Sequence, residues 1–347
     1  MKHIATVAAL LALAAGTASA QSSVTLFGIV DVNLRNVNNS GVGGNTTMNN
    51  NGLSSSRFGF RGVEDLGDGL KAGFWLESDI NPDTGTTNPN GKFFARRSTV
   101  SLMGKFGEVR IGRDLTPSGS YTYGHDPFGV IGVGGSANIA RFIAQPTFFR
   151  SDNSISYIMP KIGGLYGSVM IAPGEGLVLP STTNLARKYA GGRFGYAQGP
   201  IDISVAAGST VVDATGGKFK TTGIGAAYDM GVVHLMGHYY WDKLTTAGKE
   251  NRLSLGLTAP FGAHQIRASY NRSDATGGTA AWNANDASQL AVGYVHNLSK
   301  RTAMYGTVAR ISNKGAATFA ISGGTPGKTI TPGGSSSGYE FGVRHSF

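Results

Sequence analysis

The chain ends on Ser337-Gly-Tyr-Glu-Phe-Gly-Val-Arg-His-Ser-Phe347, and this segment constrains the fold more than any other. Tyr339, Phe341, Val343, His345 and Phe347 share one parity; Glu340, Gly342, Arg344 and Ser346 share the other. Side chains alternate across a strand, so the segment has one apolar, aromatic face and one polar, charged face. Its length matches the roughly 9–11 residues that a tilted strand needs to cross a bilayer core. A strand of this kind that closes the chain on an aromatic residue predicts a membrane-spanning β-barrel, not the edge of a soluble sandwich.

The opposite terminus agrees. Met1-Lys2-His3 is a short basic start, Ile4 to Ala15 is a small apolar run, and Ala18-Ser-Ala20 is an A-x-A cleavage site before Gln21. This pattern predicts a secretory signal peptide over residues 1–20 and a barrel over 21–347. No later stretch approaches 18 consecutive apolar residues, so a membrane-spanning chain must cross as a closed barrel. Fifty-three glycines, thirteen tyrosines and seventeen phenylalanines fit short alternating strands with Gly-rich turns. The lack of cysteine excludes thiol catalysis and cysteine-ligated metals. The net charge of +10 is not gathered into basic runs interleaved with aromatics, so nucleic acid is not an expected partner.

Turn residues set the strand count. Short Gly-, Pro-, Asp- or Asn-rich turns recur at Asp65–Gly69, Gly104–Gly107, Pro160–Gly163, Gln198–Pro200, Asp229–Gly231, Pro260–Gly262 and Asn297–Lys300, each between alternating segments. Seven hairpins, with a first strand at Val24–Leu34 and a last at Ser337–Phe347, predict a 16-stranded antiparallel transmembrane β-barrel. Longer polar stretches, Arg35–Leu53, Asn81–Lys92, Asp274–Ala287 and Ser312–Ser336, read as the outer loops. A ring of that size leaves an aqueous channel. The longest interruption, Leu115–Phe149, has few charges and carries Tyr121, Tyr123, Phe128, Phe142, Phe148 and Phe149. Folding inward onto the wall would bury those aromatics, so it reads as a constriction loop.

Several motifs resemble one family. They are Ser22-Ser-Val-Thr-Leu-Phe-Gly-Ile-Val-Asp31, Ser56-Arg-Phe-Gly-Phe-Arg-Gly-Val-Glu-Asp-Leu-Gly67, Leu70-Lys-Ala-Gly-Phe-Trp-Leu-Glu77, Arg96-Arg-Ser-Thr-Val-Ser101, Phe106-Gly-Glu-Val-Arg-Ile-Gly-Arg-Asp114 and Tyr294-Val-His-Asn-Leu-Ser-Lys-Arg301. With these the chain resembles the Gram-negative general porins, in particular the anion-selective trimeric porins of β-proteobacteria. The resemblance runs from Gln21 to Phe347 and implies a homotrimer in outer-membrane lipid and lipopolysaccharide that passes small hydrophilic solutes, anions preferentially. No enzymatic activity and no cofactor are expected.

A pore's selectivity follows from the charges at its narrowest ring. Alternation with Phe58 and Phe60 turns Arg57 and Arg61 inward, and it does the same for Glu77 and Asp79. Beside Ile155, Tyr157 and Met159, it turns Arg150 and Asp152 inward; beside Val100 and Leu102 it selects Arg97 over Arg96. The resemblance implies an arginine ladder near Arg57, the Arg96-Arg97 pair and Arg150, with Glu77 and the loop residue Asp126 as the acids that oppose or tether it. Within the pair it favours Arg96, and a β-bulge would reconcile the two readings. The role of Arg141 stays open, while Arg113 and Asp114 read as structural.

Competing chemistry is thin. His234 and His238 share a face, but with Met236 between them they stand too far apart for easy joint metal ligation. No Ser-His-acid arrangement supports an outer-membrane hydrolase. A sealed adhesive barrel would carry a separate plug domain, and no segment here reads as one.

Overall fold

The structure, a computed structural model, describes residues 23–87, 91–174, 187–213 and 216–347. The expected signal peptide lies outside these residues. Among the described residues, seventeen strands pair antiparallel in a closed ring. They begin with β1 (Ser23–Asn39), β2 (Gly43–Asn50), β3 (Arg57–Gly67), β4 (Leu70–Asp79), β5 (Arg97–Gly104) and β6 (Gly107–Leu115). After a long loop come β7 (Arg150–Ile158), β8 (Leu165–Ala172), β9 (Tyr189–Gln198), β10 (Ile201–Val211), β11 (Lys218–Asp229) and β12 (His234–Leu244). The ring is completed by β13 (Gly248–Phe261), β14 (His264–Thr276), β15 (Ala287–Asn297), β16 (Thr302–Asn313) and β17 (Ser335–Ser346).

The barrel is nevertheless sixteen strands around. β2 and β3 lie end to end along β1: β2 pairs with Val32–Asn39, and β3 pairs with Ser23–Ile29. The sequence assigns Arg35–Leu53 to an outer loop, and the structure corrects this to a hairpin turning at residues 40–42. The sequence hides β2 because Gly43-Gly-Asn-Thr-Thr-Met-Asn-Asn50 is polar at both parities, with Met48 as its one apolar residue, so no alternation marks it. Between β2 and β3 the chain wraps around Asp31. That carboxylate accepts from the N–H of Gly52 (3.2 Å), Leu53 (2.9 Å) and Ser54 (2.7 Å) and from the hydroxyl of Tyr305 (2.5 Å).

All seven predicted tight turns join neighbouring strands at one end of the barrel. At the first, Gly67, Asp68 and Gly69 all take positive φ, which glycine adopts without strain. The ring closes where Gly28 and Phe347 exchange two backbone hydrogen bonds of 3.0 Å, continuing the β1–β17 ladder. The closing strand keeps its alternation: Tyr339, Phe341 and Val343 are exposed, whereas Glu340 is buried. The same outward parity gives Val100, Ile155, Val169, Ile203, Leu255, Leu290 and Val308, an apolar belt around the outside. No helix among the described residues is long and apolar enough to cross a membrane.

Residues 116–149 connect β6 to β7. A short helix (Pro117–Gly124) and a 3-10 turn (Ser136–Ile139) break up what the sequence reads as a structureless stretch. The base is shut by Thr116 N–H donating to Phe149 O at 2.9 Å. Phe128 packs with Val133 and Ile139 against Val37, Ala287, Ala291 and Ile311 of the wall, and Phe142 and Phe148 pack on Phe219. Each such side chain contributes about 1.5–3 kcal/mol relative to exposure. The side chains of Tyr121 and Tyr123 lie outside the described ones.

Candidate pore constriction

Two sets of charged residues face each other across the lumen. One set holds the 116–149 loop to the wall. Glu340 Oε1 accepts the N–H of Val133 at 3.2 Å while its Oε2 binds Arg35 at 2.7 Å. Glu250 Oε1 accepts the N–H of Arg141 at 2.9 Å, and Arg252 bridges Glu250 (3.7 Å) to Asp242 (2.7 Å). Gln289 donates to Val133 O (2.8 Å), Tyr240 to Ser118 O (2.8 Å), and Arg267 to Pro127 O (3.3 Å). Apart from Arg141, whose role it leaves open, sequence reading missed this set. Alternation does turn Glu250, Arg252 and Glu340 inward, but only the register between strands says what they meet.

Arg141 belongs to the same set. Its guanidinium donates to Asn285 O and lies 4.9 Å over the Trp282 ring and 5.1 Å over Phe319. Burial pushes this guanidinium down from its ordinary value, with Glu250 and Asp286 pulling the other way. Asp126 faces its own loop: its carboxylate accepts from the N–H of Phe128 (2.7 Å), Val130 (3.1 Å) and Ser136 (3.0 Å) and is 5% exposed. It shapes the loop where the resemblance implies an acid set against the arginines.

The second set runs down β3 to β7. A cavity of about 460 Å³ is lined by Arg57, Arg61, Arg96, Arg97 and Arg150 together with Glu77, Asp114 and Trp75. The sequence-predicted arginines therefore come together, and of the predicted acids Glu77 joins them. Glu77 organises the group, binding Arg96 Nε at 2.5 Å, Arg57 Nε at 3.8 Å and the indole N–H of Trp75 at 2.9 Å. Asp79 takes the other arm of Arg96 at 2.9 Å. Arg150 Nε donates to Arg96 O at 2.9 Å.

The Arg96-Arg97 question resolves without a bulge. β5 begins at Arg97, which pairs with Glu77, and Arg96 lies just before the strand, where alternation does not apply. Both side chains reach the same cavity. Arg97 lies 4.6 Å over the Trp75 ring, and Arg61 lies 5.0 Å over that ring and 5.2 Å over Phe27. Cation–π contact fixes a guanidinium without neutralising it. The guanidinium N–H groups of Arg61 have no hydrogen-bond partner among the described residues.

Two further cavities extend the ladder. Toward the long loops, about 700 Å³ is lined by Lys92, Arg113, Arg150, Arg187 and Asp152; toward the tight turns, about 380 Å³ is lined by Arg61, Arg97, Arg110 and Glu108. Asp152 gathers Lys92, Arg113 (2.6 Å) and Arg187 (4.0 Å). Asp114 holds Arg110 at 2.6 Å and stands 3.8 Å from Arg97. Along this wall, with Arg187 reaching it from just before β9, nine cationic side chains stand against five carboxylates, counting Asp79, an excess of four. His238 is buried with its Nδ1 3.3 Å from His125 O, on the loop's side of the lumen. No group of three or more metal-ligating side chains occurs among the described residues.

A sequence profile of the Gram-negative porins matches residues 5–316. The chain belongs to the Gram-negative porin family. Outer membrane porin protein 32 of Delftia acidovorans is 39% identical, over 96% of this chain and 97% of that one. An outer membrane porin protein of Bordetella pertussis is 30% identical, over 88% of this chain and 93% of its own. Among solved structures, the anion-selective porin from Comamonas acidovorans matches with a TM-score of 0.84 and 38% identity, covering 94% of this chain and all of that one. This porin is thus a non-enzymatic outer-membrane channel for passive diffusion through a closed sixteen-strand barrel.

Proposed function

We propose that this porin passes small hydrophilic anions in preference to cations, through a constriction set between the 116–149 loop and the ladder of Arg57, Arg96, Arg97 and Arg150. The observation that carries this reading is the cationic excess along the β3–β7 wall, where Glu77 positions arginines it is too few to neutralise. Arg61 adds a cation fixed by aromatic rings, and Asp152 and Asp79 act as tethers within the ladder. A like-signed, narrow, low-dielectric passage concentrates counter-ions and repels co-ions. The similar Comamonas porin is described as anion-selective, which supports the same preference here.

The chain assembles as a homotrimer around one axis, embedded in outer-membrane lipid and lipopolysaccharide, after residues 1–20 are cleaved as a signal peptide. A related fold, an outer membrane protein of Vibrio cholerae, is described in a trimer form. The deciding experiment is the zero-current potential of purified protein in a planar bilayer under a potassium chloride gradient. Its sign should report anion preference; a cation-selective sign rejects the ladder, and the absence of stable open current rejects the channel reading. Unboiled electrophoresis should show a band near three times the 36.0 kDa chain, slightly reduced by signal removal. A monomer both in mild detergent and after crosslinking in membranes would reject the trimer.

A further inference from the structure

At the tight-turn end of the barrel, β14 and β15 set two histidines directly across from each other, His264 and His296. Both share the outward parity of Ile266, Val292 and Tyr294, so they face away from the lumen. One position nearer the turn, Asn297 N–H donates to Ala263 O at 2.8 Å. His264 and His296 therefore occupy the adjacent non-hydrogen-bonded pair, where Cα atoms approach to about 4.5 Å and side chains come closest.

The Nδ1 atoms of the pair are 3.1 Å apart, and the Tyr294 hydroxyl lies 2.6 Å from Nδ1 of His264. A ring nitrogen has one in-plane site, holding either a proton or a lone pair, so His264 Nδ1 cannot serve both neighbours with full hydrogen bonds. Three ligand atoms are thus gathered around a point that protons satisfy only in part. Metal geometry fits the spacing. Bound at about 2.0–2.1 Å, two imidazole nitrogens sit about 2.9 Å apart across a right angle and about 3.3 Å apart in a tetrahedron, on either side of the separation seen here. The two rings stack with centroids 4.7 Å apart at 23°, so each must turn about χ2 to aim its lone pair at a shared ion. That torsion is broad, and neither side chain is buried. Phe261 stacks 5.3 Å from His264 and closes one flank.

We propose that His264, His296 and Tyr294 form a site for a divalent transition metal, held by the two Nδ1 atoms and the phenol oxygen with water completing the shell. Imidazole with oxygen suits copper, nickel and zinc, and Cu²⁺ should bind tightest of the three. Mg²⁺, which takes oxygen ligands and keeps its own water, should not compete. The porin fold turns the tight-turn end of the barrel toward the periplasm, so an ion reaches the site from that compartment without entering the lumen. The site stands apart from the arginine ladder and asks nothing of the channel.

Electron paramagnetic resonance of the untagged, unboiled protein titrated with Cu²⁺ tests this, using the chain from Gln21 so that His3 is absent. The bound copper should show coupling to two imidazole nitrogens. His264→Phe and His296→Phe keep the aromatic stack and remove a nitrogen. A second attachment is worth on the order of 100-fold in affinity, so each variant should bind Cu²⁺ about that much more weakly, with one nitrogen coupling left. Tyr294→Phe should weaken binding about tenfold. His345→Phe, at an exposed histidine of the same barrel end, should match wild type. Wild-type affinity in any of the first three variants overturns the proposal, as does a copper spectrum without nitrogen coupling or displacement of Cu²⁺ by equimolar Mg²⁺. The wild-type spectrum decides alone if a variant fails to assemble. Conductance and reversal potential of the variants should stay at wild-type values, which separates failure of this site from failure of the channel reading.

Discussion

The two sides of the lumen use the same residue types to opposite ends. Beneath the 116–149 loop, Arg35, Arg252, Arg267 and Arg141 are matched by Asp31, Asp126, Asp242, Glu250 and Glu340, and most of these groups are buried. Along β3–β7 the cations outnumber the acids, and most stay partly exposed: the Arg57, Arg97 and Arg113 side chains keep 29%, 19% and 22% of their surface. Buried charges balanced by carboxylates hold a loop in place; partly exposed cations in excess of the carboxylates they share act on ions passing by. The difference lies in partner count and solvent access, since the guanidinium is the same. An arginine in a lumen therefore says little until its neighbours are known.

The comparison breaks first at Arg252. Replacing it with Ala leaves Asp242 and Glu250 buried without their cation, and losing one partner of a buried pair costs about 3–5 kcal/mol. The expected outcome is a marked fall in the temperature at which the unboiled band converts on electrophoresis, with noisier single-channel current as the loop loosens. A conversion temperature within a degree or two of wild type would remove the loop-holding role.

On the other wall, Arg57→Ser with Arg150→Ser should leave stability nearly untouched and change selectivity. Each charge is worth on the order of 1 kcal/mol to an ion 4 Å away in water, so loss of two should lower the anion-to-cation permeability ratio by at least about tenfold even after screening by salt. Unchanged selectivity with an intact pore would reassign both residues to structural roles. Salt sharpens the contrast without mutation. The Debye length is about 10 Å at 0.1 M and about 3 Å at 1 M, so wild-type anion preference should weaken toward 1 M while the conversion temperature, set by buried pairs, moves little. The smallest effect is expected for Arg344→Ser, on β17 near the seam, which should alter neither readout beyond experimental scatter.

Much of this was legible in the sequence, for identifiable reasons. Alternation and turn chemistry are local, so Tyr339 to Phe347 and the Gly67-Asp68-Gly69 turn specify strands and hairpins without outside help. Inward parity likewise nominates Arg57, Arg61, Glu77, Asp79, Arg97, Arg150 and Asp152. What was hidden depends on partners distant in the chain. Arg35 with Glu340 and Arg141 with Glu250 are contacts across 305 and 109 residues. Arg96 escaped alternation because the strand starts one residue later, and Asp126 bends back on its own loop, which no spacing rule announces.

The seam between Gly28 and Phe347 has a kinetic consequence. Near its two ends the chain must find itself across more than three hundred intervening residues, the longest loop closure the molecule makes. Until then β1 and β17 are bare edges whose unpaired N–H and C=O groups invite any other extended chain, including another unfinished copy. A partly zipped sheet is therefore hazardous in water, and untenable in lipid, where no solvent answers those groups. Entry into the bilayer and completion of the ring must proceed together, so the pairing of Gly28 with Phe347 sets the moment at which the protein becomes safe from its own kind.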